Sequence, residues 1–165
     1  MVDQCIKDTR HDRYPVAAHL ILTHPTTGHV LLMRRDGTYY GRHRLAFVAG
    51  HVDTGETVTD CVVRESAEEI GIGLDPADLT PAGVMFRRSA EPRVDFFFTA
   101  HTWTGEPRIR EPHKCSELLW ADPDNLPADV LDFVPRALDN TRTQRHFDEF
   151  GWTTTPALPA TPPRR

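Results

Sequence analysis

The segment from Gly50 to Ile72, GHVDTGETVTDCVVRESAEEIGI, constrains this chain more than any other. Thr57-Val58-Thr59-Asp60 reads as a capping box, a Thr followed three residues later by an acid, and predicts a helix over Glu56–Ile70. On that helix Glu65 and Glu69 are i and i+4, and Glu65 and Glu68 are i and i+3, so all three project from one side. Three carboxylates in one patch repel each other and destabilise a bare helix. Around a hard divalent cation, which prefers oxygen ligands, the same patch becomes favourable. Such ions bridge diphosphate oxygens, neutralise charge developing at phosphorus and acidify a bound water. Gly50 and Gly55 let the preceding loop bend tightly and bring a backbone carbonyl toward the same ions. Arg64 cannot bind a cation; it reads as the group that holds a glutamate in place by a charge-assisted hydrogen bond.

Alone, R-E-x-x-E-E in a chain with 26% charged residues is the pattern of a solvated helix face. The wider frame is more specific. Gly50, Glu56, Arg64, Glu65, Glu68, Glu69, Gly71 and the apolar Ile72 follow the spacing G-x5-E-x7-R-E-U-x-E-E-x-G-U, where U is a bulky apolar residue. The chain therefore resembles the Nudix family. Seven fixed positions at roughly 7% per residue type coincide by chance once in ~10⁸ placements. Two residues depart from the pattern: Ser66 stands where the first U belongs, and Val48 where a proline usually precedes the glycine. Gly71 also has the ordinary job of a helix C-cap.

The resemblance implies Mg2+-dependent hydrolysis, with Mn2+ able to substitute, of a diphosphate linkage in a nucleoside diphosphate linked to a group X. A nucleoside triphosphate or modified nucleotide giving monophosphate and pyrophosphate is the expected substrate. The expected metal ligands are Gly50, Glu65, Glu68 and Glu69, with Glu65 as the general base oriented by Arg64 and Glu68 close by. Glu111-Pro-His-Lys-Cys115, Trp120 and Leu126-Pro127 look like the E-P-x-K-C…W…L-P run of nucleotide-sanitising members, the 8-oxo-dGTP diphosphatase-like branch, and make Glu111 a candidate further ligand. Arg35, 15 positions before Gly50, stands where nucleotide-cleaving members carry a phosphate-contacting arginine. Asp129, Asp132 and Phe133, shortly after the Leu-Pro pair, are candidates to read and stack on a base, though each is also an ordinary helix-start residue. Alternatives are an isoprenoid or nucleotide-sugar diphosphatase, and a non-catalytic nucleotide-sensing module.

A chain of 165 residues makes one ordinary domain. The predicted organisation is a polar arm over 1–13, a domain over 14–150 and a Pro- and Thr-rich tail over 151–165, disordered from Thr153. No apolar run approaches the ~18 residues of a membrane span, and the N-terminus lacks a secretory h-region, so a cytoplasmic protein is expected. A net charge of -5 argues against broad nucleic-acid binding. The expected partner is a small-molecule nucleotide or other diphosphate, and a homodimer stays open. Cys5, Cys61 and Cys115 suggest neither disulfides nor a zinc site, and the histidines, among them His11, His19, His24 and His29, show no ligand spacing. Strands are predicted over Tyr14–Leu22 and Val30–Arg35 as a hairpin, Leu45–Val48, Thr80–Arg88, Val94–Ala100 and Glu117–Ala121, with a second helix over Val130–Arg142. That order fits an α+β fold, and through the resemblance the Nudix fold, a mixed β-sheet sandwiched between α-helices.

Overall fold

The computed structural model describes residues 13–36, 41–89 and 91–152. The expected arm and tail lie outside these residues except for positions 13, 151 and 152, as do Cys5, His11 and residues 37–40 of the loop before β3. Strand β1 (Val16–Leu22) is central, pairing antiparallel with β4 (Val48–His51) and parallel with β6 (Arg93–Ala100). Strand β5 (Thr80–Arg87) joins β6 antiparallel and β8 (Phe147–Phe150) parallel, giving a mixed five-stranded sheet in the order β4-β1-β6-β5-β8. A smaller antiparallel sheet has the order β3-β2-β7, from Leu45–Ala46, Val30–Arg35 and Cys115–Ala121.

The β1–β2 hairpin expected from sequence does not form. The two strands lie in different sheets, and the isolated bridge between Thr23 and Val30 links them just past the end of β1. Both are buried on two faces, and each is paired on both edges with other strands, β1 with β4 and β6 and β2 with β3 and β7, so tertiary packing overrides the local turn signal. The single strand expected over Leu45–Val48 is likewise two strands, with buried Phe47 at the switch between sheets. Strand β8, FDEF, was not expected; the adjacent acids Asp148 and Glu149 mask its pairing with β5.

Helix α1 (Val58–Glu65) starts at Thr57, whose hydroxyl accepts the Asp60 N–H at 3.1 Å in the expected capping box. The last five helical residues, Ser66–Ile70, form a π-turn instead of continuing the α-helix. Ser66 is fully buried and its hydroxyl donates to the Val62 carbonyl at 2.7 Å. Gly71, at φ 71°, ends the segment in the left-handed cap that glycine allows. Helix α2 (Phe133–Arg142) holds Pro135 in its first turn, where no intrahelical donor is lost.

The helices cover opposite faces. Leu20, Leu22, Leu31 and Met33 pack with Val62 and Ile70 on the α1 side, and Ile21, Val30, Leu32 and Phe97 with Val134 and Ala137 on the α2 side. The result is the expected α+β sandwich. No helix among the described residues is long and apolar enough to cross a membrane.

Candidate active site

Strand β4 is an edge, and its Gly50 lies directly beneath the end of α1. A Cβ at Gly50 would collide with the Glu65 carboxyl group, so any larger residue displaces Glu65 from its place against Arg64. The requirement is close approach, since Gly50 has no positive φ. One residue earlier, the Ala49 N–H donates to Glu69 Oε2 at 3.3 Å. Glu69 is 7% exposed, and burial, then the charges of Glu65 and Glu111, push its carboxyl up to about 7 against the pull of Ala49 N–H and Arg35. The Gly50 carbonyl faces the Cys61 thiol, a weak donor at 3.6 Å; burial pushes that thiol up to about 12.

Arg64 spans the acids. Its Nε and Nη2 donate to Glu56 at 2.7 and 3.0 Å, its Nη1 to Glu65 at 2.7 Å and Glu68 at 3.2 Å, and its Nη2 to the His51 carbonyl at 3.2 Å. The Arg64 side chain holds Glu56 down at about 2. A fork of five donors divided over three carboxylates fixes where Glu65 can point.

These groups line an open pocket of about 300 Å³ that includes Arg35, Gly50, Arg64, Glu65, Glu69 and Lys114. Glu111 stands beside it, accepting Lys114 Nζ at 2.8 Å and acting electrostatically on Glu69. The chain thus brings together Gly50, Glu65, Glu69, Arg64, Arg35 and, at the rim, Glu111. Glu68 departs from the expected one-sided cluster: its side chain is 53% exposed and does not line the pocket. The π-turn that follows Glu65 widens the helix and swings the i+3 position outward, while i+4 stays over Gly50. Buried, mutually repelling carboxylates beside a backbone carbonyl are the donor set of a hard divalent cation, and the residues present fit Mg2+. Among the described residues, no three acid, histidine or cysteine side chains already converge on one point; Glu65 turns to Arg64 instead.

On the α2 side of β4 lies a second cavity of about 100 Å³. Phe133 lines it, 2% exposed, with the Arg87 guanidinium 4.4 Å over its ring. Asp129 and Asp132 do not line it: Asp129 is paired with Arg34, and Asp132 accepts Arg44 Nη2 at 2.6 Å. The remaining polar lining was not anticipated from sequence: His19, His51, Arg87 and Arg93, with Asp95 behind them. Asp95 accepts Arg87 Nε at 2.6 Å and lies 3.1 Å from Arg93 Nε and 3.3 Å from His19 Nε2. One signal was present. In VDFFFTA, Asp95 shares the face of Phe97, and an acid on the inward face of an apolar strand demands buried partners.

Residues 13–143 match the NUDIX domain family model. Over 153 residues the chain is 44% identical to the NAD-capped RNA hydrolase ndx-9 of Caenorhabditis elegans, a match covering 83% of this chain and 38% of that protein. It is 31% identical over 121 residues to the NAD-capped RNA hydrolase NudC of Stutzerimonas stutzeri (strain A1501), covering 70% and 40%. The chain therefore spans about two fifths of the length of these curated relatives. Among solved structures, a MutT NUDIX hydrolase from Burkholderia pseudomallei superposes with a TM-score of 0.71 at 29% identity, covering 78% of this chain and 98% of that one. The NUDIX domain of Shewanella oneidensis NrtR, complexed with ADP ribose, shares the fold at a TM-score of 0.66 and 15% identity, covering 84% and 92%.

Proposed function

The chain belongs to the Nudix hydrolase family, and from that premise we propose that it hydrolyses the diphosphate linkage of a nucleoside diphosphate joined to a second group X. The observation that carries this reading is the convergence of Glu65, Glu69 and the Gly50 backbone with Arg35 on one open pocket. The curated relatives favour a dinucleotide diphosphate of the NAD type over a modified nucleoside triphosphate as the substrate class.

Glu65, Glu69 and the Gly50 carbonyl, with Glu111 from the rim, would hold Mg2+ or Mn2+. When bound, the ion neutralises charge developing on the phosphate oxygens and makes water easier to deprotonate. Arg35, lining the same pocket, binds the diphosphate through its charged fork. Water attacks one phosphorus, the bond from that phosphorus to the bridging oxygen breaks, and its electron pair stays on that oxygen in the departing phosphate. Glu65 accepts the proton of the attacking water. Arg64, 2.7 Å from Glu65, is a positioning residue, and Glu68 steadies Arg64 from the solvent side.

The test is to incubate the protein with Mg2+ and NAD, ADP-ribose, nucleoside triphosphates, a nucleotide sugar and a prenyl diphosphate, and to separate the products. Cleavage at the diphosphate of a nucleotide substrate, abolished by EDTA, is expected. Cleavage of the prenyl diphosphate alone, or undiminished turnover in EDTA, overturns the reading.

A further inference from the structure

In the cavity on the α2 side of β4, His19, Arg87 and Arg93 have no part in the reaction just described. The cavity has a volume of about 100 Å³ and opens beside the carboxylate pocket of about 300 Å³. Every titratable side chain lining it is basic or a histidine: His19, His51, Arg35, Arg87 and Arg93. The cavity shares Arg35, Gly50 and His51 with the carboxylate pocket, so the two adjoin at β4.

The arginines are set before any ligand arrives. Asp95, fully buried behind them, takes Arg87 Nε at 2.6 Å and faces Arg93 Nε at 3.1 Å, which orients both guanidinium planes. Arg93 Nη2 lies 2.6 Å from His51 Nε2, tying the group to β4. His19 is 5% exposed, and its Nδ1 has no hydrogen-bond partner among the described residues. Guanidiniums whose rotamers are already fixed lose little entropy in gripping an oxyanion.

We infer that this cavity is an anion subsite, which receives a phosphate group of the substrate other than the diphosphate being cleaved. The inference rests on the hydrolase reading of the neighbouring pocket. It identifies X, or the nucleoside, as a phosphorylated group, so the reaction supplying this substrate must add a phosphate monoester or diester to a diphosphate-linked nucleotide.

Matched pairs test it: NAD against NADP, and dephospho-coenzyme A against coenzyme A, each differing by one phosphate. At least one pair should show a kcat/KM ratio of about 10 or more in favour of the phosphorylated partner, the scale of one charge-assisted contact. Arg93→Gln should bring that ratio to within about 3 of unity, and Arg93→Lys, which keeps the charge but loses the fork, should fall between. Binding of inorganic phosphate in excess EDTA, followed by calorimetry, gives a readout without turnover; Arg93→Gln should weaken it about 10-fold or more. Should Arg93→Gln fail to fold, the wild-type ratio and titration decide the matter. Ratios near one for every pair that is cleaved, or no phosphate binding in EDTA, overturn the subsite. If no diphosphate is cleaved yet phosphate binds in EDTA, the hydrolase reading fails and the anion site stands.

Discussion

Strand β4 divides two sites with opposite electrostatics. On the α1 side Gly50 meets Glu65 and Glu69, acids gathered closely enough that burial and mutual repulsion raise one of them to about 7. On the α2 side a single acid, Asp95, serves Arg87, Arg93 and His19. Burial alone would raise the Asp95 carboxyl, but His19 and Arg87 hold it well below the usual carboxylate range. In the first site a carboxylate is in excess, which the proposed cation would balance; in the second it is structural and fixes the guanidiniums. The same substitution, acid to neutral, should therefore have opposite effects on the fold across one strand.

The largest expected effect is on the α2 side. Asp95→Ala strips the partner from buried guanidiniums and should destabilise the protein by about 3–5 kcal/mol, the usual cost of breaking a buried ion pair. Because the folded carboxyl is depressed, its contribution is present above the ordinary carboxylate range and is lost as pH falls below it. Urea unfolding at pH 7 and pH 3 measures both; an Asp95→Ala midpoint equal to wild type at pH 7 would erase the contrast.

Across the strand, Glu65→Gln and Glu69→Gln should each lower kcat by at least about 10²-fold with the fold intact. Near-normal turnover in both variants would sink the mechanism. Stability sharpens the comparison. Glu69 has its folded value raised above its ordinary 4.5, so its stabilising contribution is complete below that pH and lost as pH rises through about 7. In EDTA at pH 8, Glu69→Gln should thus be more stable than wild type, by on the order of 1–3 kcal/mol, and no more stable at pH 4. A Glu69→Gln variant less stable than wild type at pH 8 in EDTA would show that the carboxylate is not in excess.

The two sites also differ in how far they could be read from the chain. The α1 side is one strand, one loop and one helix, with Gly50, Glu65 and Glu69 close in sequence, so spacing alone carried it, down to the Thr57–Asp60 cap. What spacing missed there is the π-turn after Glu65, which turns Glu68 outward. The α2 side is assembled from β1, β4, β5, β6 and the start of α2, and no local pattern joins His19 to Arg93 or Arg87. Its existence depends on β1 pairing with β6, the pairing that the hairpin expectation for β1 and β2 displaced. Phe133 reaches the cavity, but as buried wall beneath Arg87, not as a base-stacking face.

The smallest expected effect concerns Asp129 and Asp132, placed by sequence at the base-reading position. Asp129 is engaged by Arg34, which also holds Glu117 at 2.6 Å, and Asp132 accepts Arg44 Nη2 at 2.6 Å. Both acids pair on the surface next to β3, and neither lines the cavity or the carboxylate pocket. Exposed ion pairs of this kind contribute about 0–1 kcal/mol. Asp129→Ala and Asp132→Ala should accordingly change kcat/KM by less than about 3-fold for purine and non-purine substrates alike, and shift stability by about 1 kcal/mol or less. A rise in KM of about 10-fold confined to purine substrates would place base recognition on these acids. It would also extend the α2-side site outward from Phe133, so that one nucleoside contacts both the surface acids and the arginine cavity.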